Sequence, residues 1–216
     1  MKKKYSFILL IIILLLTILT GCYDAVGIEN TAYAIAIGID KGSTNTIRLS
    51  IQFSLPNSDG IPEPGGGGQS GSSEVVSIEA SNIDSAISLI NDHINKKVNL
   101  SHSRVIVISS ELATNGISEY VYTLANNIQI RPNTNIIISK VNAYDFLSKT
   151  HPTLETLSAR YYDLILNSSR YTGHSDNVTL ADFYSSILDS SRQAYAILRK
   201  HKQDRYRLRN YWSGCF

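Results

Sequence analysis

The stretch 32-AYAIAIGIDKGSTNTIRLSIQF-53 decides the fold of this 216-residue chain. It divides into two short aliphatic runs, Ala32 to Asp40 and Thr46 to Phe53. Between them lies Lys41-Gly42-Ser43-Thr44-Asn45, a five-residue turn containing glycine. Short aliphatic runs flanking such a turn predict a β-hairpin. In the second run Ile47, Leu49, Ile51 and Phe53 alternate with Arg48, Ser50 and Gln52. That period of two predicts a strand with one buried and one wet face. In the first run Ile35, Ile37 and Ile39 stand opposite Ala34, Ala36 and Gly38, so a helix or another close layer fits over the small face.

Downstream, Leu55 to Ser73 reads as a loop, with three prolines and then Gly65-Gly66-Gly67-Gly68-Gln69-Ser70-Gly71. A phosphate-cradling loop would end in Gly-Lys-Ser/Thr and open a helix. No lysine follows, so a flexible surface insertion is the better reading. Glu74 to Ala80 (EVVSIEA) predicts a third strand. Ser81 or Asn82 then caps a helix with Ile83, Ala86, Ile87, Ile90 and Ile94 as its apolar stripe. Arg104 to Ser109 (RVIVIS) is a continuous apolar run of the fully buried kind. Helical segments follow at Glu111–Asn115 and Ile117–Asn126, the second with Val121, Leu124 and Ala125 inward. Asn135 to Val141 is another strand. Helices at Ala143–Lys149, Thr153–Asn167 and Thr179–Asp189 complete the pattern. The Thr153 helix places Leu154, Leu157, Tyr161, Leu164 and Ile165 on one side. The order β-β-β-α-β-α-β-α-α-α predicts an α/β (α+β mixed) fold, a mixed β-sheet of about five strands with helices packed over it.

Upstream, Lys2, Lys3 and Lys4 precede an apolar run from Phe7 to Leu16 that resumes at Ile18 and Leu19. A basic n-region, a short h-region and small residues at the end make a signal peptide. The run holds about 13 apolar residues, below the ~20 that a membrane-spanning helix requires. It ends at Leu19-Thr20-Gly21-Cys22, which resembles the lipobox of bacterial lipoproteins. The expected processing is cleavage between Gly21 and Cys22 and acylation of the Cys22 thiol. Two acyl chains would hold the mature chain on the membrane far more firmly than one.

Three segments result: 1–21 as signal peptide, 22–198 as the folded domain and 199–216 as a basic tail. The formal charge of +2 conceals their difference. Residues 22–198 carry 11 Lys/Arg against 17 Asp/Glu, a net of −6. Such a body offers no basic face to nucleic acid. The tail holds six Lys/Arg and a single acid, Asp204. It reads either as a basic arm for anionic headgroups or, favoured by the abrupt change of composition, as the mark of a truncated or frameshifted chain.

Chemistry is sparse. The two cysteines, Cys22 and Cys215, provide no disulfide framework. The five histidines are scattered, and none sits at metal-ligand spacing with a Cys or carboxylate. No nucleophile elbow, His-Glu-x-x-His motif or dinucleotide fingerprint occurs. Asp40, in Gly38-Ile39-Asp40-Lys41-Gly42, is expected to cap its turn. Ser101-His102-Ser103-Arg104 is the one polar cluster entering a buried strand. A Ser/His pair there lacks an orienting acid and an oxyanion hole, so His102 is read as a structural group hydrogen-bonding a neighbouring loop. Tyrosines are abundant, 13 in all, and those near Tyr161-Tyr162 and Tyr171 suit helix surfaces that meet a partner or headgroups, although ordinary core edges use them too. The expectation is therefore no catalytic, cofactor-binding or metal-binding residues.

Several segments in order resemble the Ger(x)C family of spore-germination lipoproteins, the C subunits of germinant receptors. They are Leu19-Thr20-Gly21-Cys22-Tyr23-Asp24, Ile28-Glu29 and Ala34 to Gly42. Next come Ser101 to Ser109 with Glu111, Leu112, Ala113 and Gly116, then Asn126 to Arg131, and finally Asp182-Phe183-Tyr184. Tyr23 stands where the family usually has Trp. The resemblance spans roughly residues 19–198. Members of the family continue into a larger C-terminal region that is absent here. The resemblance implies a non-catalytic subunit on the outer face of the spore inner membrane. It would be anchored by acylated Cys22 and assembled with the integral-membrane A and B subunits. Two rival classes make other demands: a solute-binding lipoprotein of the cell envelope needs a deep pocket, and an envelope hydrolase needs a Ser/His/acid constellation.

Overall fold

The computed structural model describes residues 2–18, 27–44, 46–54, 73–150, 158–167, 177–189, 191 and 193–199. The chain divides into two units, Met1–Asn30 and Thr31–Phe216. In the first, α1 (Lys2–Ile18) is a 17-residue helix, and a 3-10 turn covers Ile28–Asn30. No helix among the described residues is long and apolar enough to cross a membrane.

The second unit contains a mixed sheet of seven strands, β1 (Thr31–Lys41), β2 (Ile47–Ser54), β3 (Ser73–Ala80), β4 (Lys97–Asn99), β5 (Val105–Ser109), β6 (Asn135–Ser139) and β7 (Ile197–Arg199). Its order is β3-β2-β1-β5-β6-β7, with the short β4 alongside the start of β1. The first three strands form an antiparallel meander, while β4 and β5 run parallel to β1, and β6 and β7 continue parallel. The five expected strands are all present. The two additions, β4 and β7, have three residues each, too few to show any periodicity in the sequence.

The predicted hairpin forms around Gly42, whose N–H donates to the Thr46 carbonyl at 2.8 Å. A Cβ on Gly42 would lie 2.7 Å from the Thr46 backbone, so this turn closes only around glycine. One irregularity changes the phase of β1. The register against β2 shifts between Ala34 and Ala36, a bulge. Ala34 therefore joins Ile37 and Ile39 in one core cluster, while Ala36 faces the other side. Strict alternation, which grouped Ala34 with Ala36, holds only beyond the bulge.

Helices cover both faces. On one lie α2 (Ile83–Ile94), α3 (Ser110–Thr114), α4 (Ser118–Asn126) and α7 (Leu180–Leu188). They bury Ile83, Ala86, Ile90, Leu112, Val121, Leu124 and Phe183 against Ile37, Leu49, Ile51, Ile106 and Ile136. Asn82, of the two cap candidates, holds α2 by accepting from Ser85 N at 2.8 Å. Thr179 and Asp182 form a reciprocal capping box on α7. On the other face lie α5 (Ala143–Lys149) and α6 (Ser158–Asn167). Ala143, Phe146, Leu147, Tyr162 and Leu166 pack there on Ala36, Val105, Val107 and Ile137. The apolar run of β5 is buried throughout because helices press on both of its sides.

That second helical layer corrects two expectations. Of Arg48, Ser50 and Gln52 on the polar face of β2, only Arg48 is wet: Ser50 is 0% and Gln52 is 1% exposed. On α6 the buried residues are Tyr162 and Leu166; Tyr161 of the expected stripe packs, partly buried, against the same cluster, whereas Leu164 is half exposed. The remaining positions of that expected stripe, Leu154, Leu157 and the side chain of Ile165, lie outside the described residues. So does the glycine-rich segment.

Gly38 faces α5. A Cβ there would meet Leu147 Cδ1 at 3.0 Å and Ala143 Cβ at 3.1 Å. The small face of β1 thus admits a helix at close range, as its Ala and Gly residues predict.

Candidate functional site

The residues nominated for chemistry are built into three separate places. The first is the turn between β4 and β5. Asn99 Oδ1 accepts from Ser101 N at 2.9 Å and from Ser101 Oγ at 2.6 Å, an Asx-type turn. His102 Nδ1 lies 3.1 Å from Ser101 Oγ, and its exposed ring meets Tyr33 edge-on at a centroid distance of 5.0 Å. Ser103 is buried, and its hydroxyl donates to the Leu100 carbonyl at 2.7 Å. Arg104 reaches Asp163 of α6 at 3.6 Å. The hydroxyl nearest the imidazole is already committed to Asn99, and no carboxylate is among the described contacts of His102. Ser101 and His102 sit in the turn that leads into β5. The cluster shapes the entry to β5 and, among the described residues, does not assemble a nucleophile, base and acid.

The second place is Asp40. Its carboxylate does not cap its own turn. It is 3% exposed and accepts from Ala143 N at 2.6 Å and Tyr144 N at 3.0 Å, 103 and 104 residues away in sequence. These are the first N–H groups of α5, and that helix's own N-cap residue, Asn142, makes no side-chain cap bond. A helix of seven residues cannot persist unaided. The strand end supplies the anion that its N-terminus requires.

The third is a buried polar chain under α5 and α6. Tyr162 OH donates to Gln52 Oε1 at 2.8 Å, and Gln52 Nε2 donates to Ser73 Oγ at 2.9 Å. Ser50 Oγ donates to Ser77 Oγ at 3.0 Å. Burial pushes the Tyr162 phenol well above the usual tyrosine range. Of the two readings of Tyr162, a surface that meets a partner or an ordinary core position, the structure has the second: it is 1% exposed and holds the layer to the sheet. At the hairpin end of the sheet, Glu79 accepts from Ser43 Oγ at 2.7 Å and from Arg48 Nη2 at 2.6 Å. The hydrogen bonds from Ser43 and Arg48 lower its pKa to about 2. Each of these groups has a structural partner, and among the described residues no three His, Cys, Asp or Glu side chains gather as metal ligands.

Two features remain that could meet another molecule. A cavity of about 360 Å³ beside α7 is lined by Val178, Asp182, Ser185, Ser186, Gln193 and Tyr195. Its polar groups are largely spent within the helix. Asp182 holds Thr179, and both serine hydroxyls donate to the Asp182 carbonyl. A ligand would find few free donors or acceptors there, which weighs against the solute-binding alternative. The outward side of α4 and α7 is different. Tyr122 and Tyr184 meet there at a centroid distance of 6.2 Å, and Tyr122 and Leu188 are 58% and 66% exposed. Aromatic and aliphatic side chains left in water on adjacent helices fit the core of a protein interface. Sequence periodicity missed this pair, since it identifies inward stripes and says nothing about which outward residues are apolar.

The expected processing and lipidation site, Gly21 and Cys22, lies outside the described residues, as do Tyr171 and residues 200–216.

Comparison with known proteins adds what geometry alone lacks. The sequence model of the spore germination protein N-terminal domain matches residues 24–198. YfkR, a protein assigned to spore germination in Bacillus subtilis (strain 168), is 28% identical over 196 residues, covering 90% of this chain and 50% of its own. Spore germination protein KC of the same organism is 26% identical over 169 residues, covering 71% of this chain and 42% of its own. The chain spans about half the length of the curated relatives it matches. No solved structure matches it.

Proposed function

The chain belongs to the family defined by the spore germination protein N-terminal domain, and from that premise we propose that it is a non-catalytic, lipid-anchored subunit of a germinant receptor. In this reading acylated Cys22 holds the domain on the outer face of the spore inner membrane. There it docks with integral-membrane A and B subunits in nutrient-triggered germination.

The observation that carries the proposal is a juxtaposition in sequence. The family match begins at Asp24, two residues after the Cys that closes the lipobox-like Leu19-Thr20-Gly21-Cys22. A domain that starts there is held close to its anchor, where even a weak interface is sustained by high effective concentration. The aromatic side of α4 and α7 supports a docking role, and the structural employment of Asp40, His102 and Tyr162 supports a non-catalytic one.

The test is Cys22→Ala in sporulating cells, read by membrane fractionation, co-purification and germination. The expected result is release of the chain from spore membranes, loss of multi-spanning proteins from its pull-down, and impaired germination. Normal germination with the released variant would sink the tether.

A further inference from the structure

We propose that the edge of the sheet where β1, β4, β5 and β6 begin rests on anionic lipid headgroups, with Ile128 entering the interface between Lys96, Lys97 and Arg131. The inference deepens the tethered reading, since it assigns which end of the domain faces the membrane.

Strand register defines the edge. Lys97, the first residue of β4, pairs with Thr31, the first of β1, and Lys96 precedes it. The loop from α4 to β6 returns to the same edge, because Gln129 Oε1 accepts from Leu100 N at 2.9 Å just past β4. The loop is tied within itself, Ile130 N donating to the Asn127 carbonyl and Thr134 N to that of Arg131, each at 3.0 Å. This fixed loop holds Ile130 inside at 5% exposure and Ile128 outside at 99%. A single exposed aliphatic residue is ordinary; its setting is not.

Lys96, Lys97 and Arg131 are all exposed, and none has an ion-pair partner among the described residues. Elsewhere Lys41, Arg48, Arg104 and Lys149 are paired with Glu111, Glu79, Asp163 and Asp145. Lys140, another exposed cation without an ion pair among the described residues, follows β6 at the opposite edge. The acids near the proposed edge include Asp92 on α2, Glu74 on β3, Asp163, which is paired with Arg104, and Asp182, which is held by Thr179; Glu29 lies two residues before Thr31 in the chain. Residues 22–198 as a whole carry a net −6, so an anionic surface repels most faces of the domain and favours the one that presents these cations. An aliphatic tip flanked by cations matches an interface that is anionic outside and apolar beneath. Covalent geometry agrees: from Cys22 to Thr31 the chain spans at most about 30 Å at full extension.

The experiment uses the full acylated chain in phosphatidylcholine vesicles, with and without phosphatidylglycerol. An environment-sensitive fluorophore is placed by Ile128→Cys, or by Lys140→Cys as the opposite-edge reference, both in a Cys215→Ser background. The expected result is quenching of the probe at 128 by brominated lipid only when phosphatidylglycerol is present. The probe at 140 stays in water. Each of Lys96→Glu, Lys97→Glu and Arg131→Glu should reduce occupancy of the bound state at least about fivefold. A probe at 128 that stays aqueous while the chain floats with the vesicles overturns the edge and leaves the tether standing. Shielding of 128 only when other membrane proteins are added also overturns it, making the edge a protein interface. A chain that fails to float overturns the tether instead, and the probe in excess phosphatidylglycerol vesicles still decides the edge.

Discussion

Removing the Asp40 carboxylate tests whether a distant strand end holds α5 in place. In Asp40→Ala the N–H groups of Ala143 and Tyr144 lose acceptors at 2.6 and 3.0 Å in a site where Asp40 itself is 3% exposed. A helix N-cap is worth about 0.5–2 kcal/mol. Hydrogen bonds to a charged group contribute about 1.5–3 kcal/mol, offset here by the cost of burying that charge. Together these give a loss of about 2–4 kcal/mol for Asp40→Ala. Asp40→Asn keeps one acceptor oxygen and turns its amide toward the other N–H, so its loss should be about 1–2 kcal/mol. For a domain of this size 1 kcal/mol moves Tm by about 2–4 °C, placing Asp40→Ala roughly 4–16 °C below the parent. Urea and thermal unfolding of the chain from residue 22 onward, followed by circular dichroism, measures both variants. Hydrogen exchange at the Ala143 and Tyr144 amides should accelerate before global unfolding. An Asp40→Ala midpoint equal to that of the parent would refute the account. An Asp40→Asn as damaging as Asp40→Ala would show that charge matters to α5 more than the number of acceptors.

Other outcomes follow from contacts already described. Gly38→Ala puts a methyl 3.0 Å from Leu147 Cδ1 and 3.1 Å from Ala143 Cβ; overpacking should cost about 1–3 kcal/mol in urea unfolding. Tyr162→Phe leaves Gln52 Oε1 without its buried donor and should cost about 1–3 kcal/mol by the same assay. The raised Tyr162 phenol predicts that, in an alkaline spectrophotometric titration, one tyrosine ionises only as the protein unfolds. Because its folded pKa lies above its unfolded one, this group's stabilisation is present below the ordinary tyrosine pKa and falls as pH rises beyond it. Glu79 has the opposite sign, its pKa lowered from 4.5 to about 2 in the folded state. Its contribution is complete above pH 4.5 and disappears as pH falls toward 2, so the urea midpoints of parent and Glu79→Gln should converge across that window.

The fold was legible where structure is local. The hairpin around Gly42 declared itself by alternation and turn chemistry, and α5 begins and ends at the expected Ala143 and Lys149. β5 and β6 were visible as aliphatic runs because burial on both faces removes polar residues. What escaped was long-range. Ser50 and Gln52 read as wet because a strand's own alternation cannot report that α5 and α6 return about 100 residues later to cover them. Asp40 read as a turn cap for the same reason. The bulge after Ala34 escaped because Ala and Ile alternate smoothly through it. Of the candidate site, the polar groups Asp40 and Ser101 to Arg104 were legible, but not the partners they find. The exposed side of α4 and α7 and the edge at Ile128 depend on which outward residues meet in space, and periodicity does not encode that.

The position of β1 constrains how the chain reaches this structure. It is an internal strand of the sheet, yet it is made before every other strand. Its β2 neighbour follows within six residues of its end, while β5, on its other side, begins only at Val105. Until then β1 presents, beyond its first three residues, an open row of amides and carbonyls, and of the helices that cover the meander of β1, β2 and β3 only α2 has been made. From that point growth is orderly: β5 joins β1, β6 joins β5, and β7 joins β6, each in the order of synthesis. No strand has to wedge between two that are already joined. A nascent chain halted before Val105 should therefore be prone to pair edge-to-edge with its own copies, and one released after Ser139 should already hold the sheet from β3 to β6.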